Sequence, residues 1–131
     1  MKQKTVVLFM LFAAAMDAGT GMGLLFFPET VLQLMGLPIS VPLVFVRWIG
    51  LFVTMTGIWY LLPLAKHKDA HFTELLKLVL LGTAILRALV ACFLIWAMSF
   101  NHLDMPWWPV PVTDWGFAIA QAVMLLKGVR P

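Results

Sequence analysis

The sequence predicts an all-α fold, a polytopic membrane four-helix bundle in a single domain of 131 residues. Three observations carry that prediction. Hydrophobic residues make up 63% of the chain and charged residues 11%, against about 45–50% and about 25% in a soluble domain. Four apolar runs approach the roughly 20 residues that a hydrocarbon core about 30 Å thick demands of a helix. The basic residues outside these runs all fall on one side of a four-span arrangement, so the formal charge of +3 describes membrane topology rather than affinity for nucleic acid.

The first span, about 5–27, follows Lys2 and Lys4 and contains MDAGTGMGLLFF. A secretory leader also opens on basic residues. Here the apolar run is too long for one, and FFPET lacks a small-residue cleavage pattern, so the run is expected to persist as a mature span. In PETVLQLMGLPISVP, Pro28, Pro38 and Pro42 interrupt regular helices, and 30–35 is predicted as a short interfacial helix with Thr30 as its cap and Gly36 as its stop. The second span, about 41–64, ends before Lys66 and Lys68. The third, about 74–100, carries Lys77 close to its start. FNHLDMPWWPVPVTDW then leads into the fourth, about 110–127, which Lys127 and Arg130 follow. The positive-inside rule places both termini in the cytoplasm, most naturally of a bacterial cytoplasmic membrane. Trp48, Trp107, Trp108 and Trp115 mark the opposite boundary, with Trp59 and Tyr60 toward the inner one.

Charges inside such spans need a reason. At a rise of about 1.5 Å per residue, Asp17 and Arg87 both lie roughly 18 Å from the cytoplasmic boundary, and Gln121 is near that level. Arg47 and Asp114 lie roughly 6 to 9 Å below the opposite boundary, where Glu29 approaches from the end of the first span. Each charge facing lipid at mid-bilayer costs about 2.5–3.5 kcal/mol on the lenient insertion scale. Two layers are therefore expected, Asp17 with Arg87 and Arg47 with Asp114 and Glu29. Each is either a clasp that fixes helix packing or a polar, ligand-binding or proton-linked site. Thr20, Thr54, Thr56 and Thr83 are further hydrogen-bond donors, although threonine hydroxyls also bond their own helix. Gly19 with Gly23, Gly50 with Thr54, and Ala84, Ala88 and Ala91 offer small-residue packing strips. GTGMG follows no strand and is no phosphate loop.

Metal and nucleophile signatures are weak. His67 and His71 in KHKDAH, with Asp69 and Glu74, and His102 with Asp104 do not complete a closed ligand set. No histidine lies in a span to hold a haem. Cys92 is single and is expected to pack as an apolar thiol.

The succession LLFFPETVLQLMGLP, FVRWIGLFVTMTGIWYLLP, ILRALVA and DWGFAIAQ resembles the small four-helix membrane proteins of the DoxX-like group. The resemblance implies that architecture and a link to quinone-dependent or other redox-linked membrane complexes, with no catalytic residues carried over. Three functions are expected in order: a small membrane subunit or partner protein that clasps its helices or binds a lipophilic ligand such as a quinone; a compact proton-coupled transporter using Asp17; and a membrane enzyme acting on a lipid or isoprenoid through Asp17 with Arg87, or Asp114 with Arg47 and Glu29. The bilayer, membrane-protein partners or a second copy of the chain are the expected company.

Overall fold

A computed structural model of the chain describes residues 2–39, 42–66 and 71–128. Its elements are helical: α1 (Gln3–Phe26), α2 (Pro28–Leu34), α3 (Leu43–Ala65), α4 (Phe72–Ser99), a single 3-10 turn at Met105–Trp107, and α5 (Pro109–Leu126). The four long segments, Gln3–Phe26, Leu43–Ala65, Phe72–Ser99 and Met105–Leu126, are each long and apolar enough to cross a bilayer. Their 22 to 28 residues correspond to about 33 to 42 Å of helix, enough for a core about 30 Å thick. The fold class is that predicted, a polytopic all-α membrane protein, and every predicted span lies within about two residues of an observed helix.

Two compact units divide the chain. The first comprises Lys4–Asp69, and the second Ala70–Pro131 with Met1–Gln3.

In the first unit, α1 buries Val6, Met10, Ala13, Ala14, Asp17, Gly21 and Leu24, a stripe recurring every three or four residues, as one helix face requires. The small members of that stripe let α3 approach backbone to backbone. A Cβ on Gly50 would stand 2.7 Å from both the Gly21 carbonyl oxygen and the Leu25 nitrogen, and one on Gly57 would stand 2.6 Å from the Ala18 nitrogen. One on Gly21 would overlap the Thr54 nitrogen and hydroxyl. Ala18 thus meets Gly57, Gly21 meets Thr54 and Leu25 meets Gly50, the order of an antiparallel pair in small-residue contact. The glycine pair predicted for this role serves it differently. A Cβ on Gly19 would meet nothing within 4 Å, while one on Gly23 would stand 3.0 Å from Val31 of α2.

The connection between α1 and α3 holds the short helix expected there, with a shifted start. Pro28 occupies its first turn, and no side chain caps it, so Thr30 is inside the helix rather than at its cap. Proline suits that position because its missing N–H would have had no helical partner. Gly36 ends the helix as predicted. At φ 69° it adopts the left-handed conformation that costs glycine least, and the Leu37 N–H reaches the Leu32 carbonyl at 2.8 Å in a Schellman closure.

In the second unit, α4 and α5 form a helical hairpin. The buried residues of α4 are Leu76, Val79, Leu80, Thr83, Arg87, Ala91 and Ala97, and those of α5 are Pro111, Ala118 and Gln121. α4 ends in a second Schellman closure. Asn101, at φ 58°, is the left-handed residue, and the His102 N–H donates to the Ala97 carbonyl at 2.8 Å. At the start of α4, Lys77 pairs with Glu74 at 2.9 Å on the exposed side. Of KHKDAH, His67 and Asp69 lie outside the described residues.

Candidate functional site

Four polar residues of the second unit, Thr83 and Arg87 of α4 and Asp114 and Gln121 of α5, meet along the seam between these helices. Arg87 Nη1 donates to Asp114 Oδ1 at 2.6 Å, and the two side chains are only 7% and 14% exposed. Phe117 is three residues beyond Asp114 on the same helix face, and its ring lies under the guanidinium, with Arg87 Cζ 4.4 Å from the ring centroid. One cation is thereby held by an anion and an aromatic face, a pairing strengthened where water is excluded.

A neutral rung follows. Gln121 Nε2 donates to Thr83 Oγ1 at 2.8 Å, and Thr83 passes its own proton to the Val79 carbonyl at 2.6 Å. Thr83 lies one turn before Arg87 on α4, while Gln121 lies two turns after Asp114 on α5. In an antiparallel pair both steps run toward the same end. Side chains lean toward the N-terminus of their helix, so Gln121 reaches back to the threonine. Gln121 is fully buried and Thr83 is 5% exposed, which makes this seam two polar rungs in an apolar surround.

Asp114, expected at the level of Arg47 and Glu29, has Arg87 of its own unit as a partner. Arg47 and Glu29 belong to the other unit and are exposed on α3 and α2. The Arg87–Asp114 pairing was hidden by where each span was taken to begin and end. Arg87 level with Asp114 puts Pro109 level with Cys92, so α4 runs on past the start of α5 by about 10 Å. The connection 100–108 makes up that distance. Counting depth from 75 and 110 therefore separated two residues that share one level.

Asp17 is buried, at 5% exposure, on the α1 face that carries Ala14 and Gly21. It belongs to the first unit and Arg87 to the second. Of the threonines, Thr54 donates to the Gly50 carbonyl at 2.8 Å and Thr56 to the Phe52 carbonyl at 3.0 Å. These are bonds within their own helix. Thr20 is exposed. Cys92 is exposed, against the expected packed thiol, because its position on α4 lies outside the stripe that faces α5.

Sequence reasoning singled out Arg87, Asp114, Gln121 and Thr83 but missed Phe117. Its signal was present in the spacing: 114, 117 and 121 are one face of a helix, and an aromatic beside a buried arginine is a usual neighbour.

The chemistry of the seam is that of a hydrogen-bonding line inside a membrane protein. It offers guanidinium donors, a carboxylate acceptor and an amide. Fold and seam together define the class: a small all-helical protein of four apolar spans with buried ionisable groups. Comparison with protein-family models, curated proteins and solved structures finds no match.

Proposed function

We propose that the chain is a small integral subunit or partner protein of a membrane complex, with its α4–α5 seam receiving the polar head of a lipophilic molecule of the quinone type. The observation that carries this reading is the buried Arg87–Asp114 pair beside Phe117. Intramembrane ionisable groups are costly, and their default role is functional. The groups also fit such a head. A quinone carbonyl accepts from guanidinium N–H, a quinol hydroxyl donates to a carboxylate, and Asp114 Oδ1 alone is engaged by Arg87, leaving the second oxygen as an acceptor.

Support from the sequence is of two kinds. The DoxX-like succession of motifs brings redox-linked complexes into view, and the one-sided lysines favour an orientation with both ends in the cytoplasm of a bacterial cytoplasmic membrane. Native mass spectrometry of protein gently extracted from its own membrane tests the proposal. Wild type is expected to carry a lipophilic redox molecule or additional subunits, and Arg87→Gln and Asp114→Asn to lose the small molecule. A bare chain without either companion would leave the seam as a structural clasp only.

A further inference from the structure

α3 carries a charge that α1 and α2 do not answer. Arg47 lies four residues after Leu43, the first residue of the helix, hence about 6 Å along its axis. Its side chain is exposed, and so are its neighbours Val44, Trp48 and Leu51, at 66%, 59% and 46%. Among the described residues its guanidinium makes no ion pair or hydrogen bond. Glu29 is exposed on α2.

An arginine on an exposed apolar face near the end of a membrane span is stable only if its head reaches the boundary while its stem lies along the helix. What waits there is phosphate, which the planar fork of a guanidinium binds in bidentate fashion. Trp48 strengthens the assignment. Its ring is held edge-on to Phe52 at 5.1 Å, and tryptophan concentrates at the headgroup level of a bilayer. Below that level the exposed Leu51 and Phe52 present an apolar strip matched to acyl chains.

We propose that Arg47 and Trp48 form a binding site for the phosphate headgroup of an anionic phospholipid at the membrane boundary where α3 begins. The full chain, purified in mild detergent and titrated with phosphatidylglycerol or phosphatidylcholine, tests it by native mass spectrometry. Wild type is expected to retain the anionic lipid about fivefold better than the zwitterionic one, as expected for one basic residue at a charged surface. Arg47→Gln is expected to lose the preference, Arg47→Lys to keep part of it, and Lys77→Gln, with the same change of net charge, to keep all of it. Trp48→Leu weakens retention of both lipids and gives a second reading should Arg47→Gln fold poorly. An unchanged preference in Arg47→Gln overturns the proposal. So does displacement of the lipid by inorganic phosphate, which would mark a free-anion site, or loss of a co-purified protein in Arg47→Gln with lipid retention intact, which would assign Arg47 to a protein carboxylate.

Discussion

Arg87 is the residue on which most of the polar chemistry of the spans turns. Its guanidinium meets Asp114 and the face of Phe117 at once, so deleting it leaves a carboxylate stranded in an apolar surround. Arg87→Met should lower unfolding stability by about 3 kcal/mol, the usual cost of breaking a buried pair from one side. The double variant Arg87→Met/Asp114→Leu should cost less than the two single changes combined, by more than about 1 kcal/mol, because residues in direct contact couple. Unfolding titrations on the four proteins check this, and simple additivity would contradict the pairing. The neutral rung behaves differently. Gln121→Leu should cost only about 0.6 kcal/mol, the mean for an interhelical hydrogen bond in a membrane, since Thr83 keeps its bond to the Val79 carbonyl. Much of this was legible in the sequence as isolated charges in apolar runs. The pairing of Arg87 with Asp114 was not, because depth along a helix says nothing of its rotation and an arginine stem tolerates several levels.

At the scale of elements, the close approach of α1 and α3 makes a sharp contrast among glycines. Gly21→Ala, Gly50→Ala and Gly57→Ala each force a methyl into backbone atoms of the facing helix and should destabilise by about 1–3 kcal/mol, the range for overpacking. Gly19→Ala, with nothing within 4 Å of the new carbon, should change stability by less than about 0.5 kcal/mol. Thermal unfolding of this set in one detergent measures both halves. Equal losses at Gly19 and Gly21 would remove the proposed crossing. The lengths of the helices were readable from the sequence because hydrocarbon thickness dictates them, and Gly36 announced its stop because few residues adopt a positive φ. The contact face was not readable. In a span where nearly every position is apolar, periodicity does not distinguish lipid-facing from helix-facing positions, and a GxxxG match at Gly19 and Gly23 competes with Gly21 two residues along.

For the whole molecule, four spans of membrane-crossing length predict that the protein stays in the membrane pellet through alkaline carbonate washing. Recovery in the supernatant would argue that at least some of these helices do not insert. They also require that reporters at the two ends of the chain read the same side, whichever side that is. Composition alone conveyed this class, since no packing arrangement in water hides so large an apolar fraction. The pair at Arg87 and Asp114 adds a consequence about the order of synthesis. Among the four segments the one containing α4 is the most apolar and the one containing α5 is among the least, and the latter carries the acid. Because the chain is made from its N-terminus, the arginine is already in the bilayer when the aspartate emerges. The weaker helix is therefore born next to the charge that makes its own entry affordable, and it enters against α4 rather than into lipid alone.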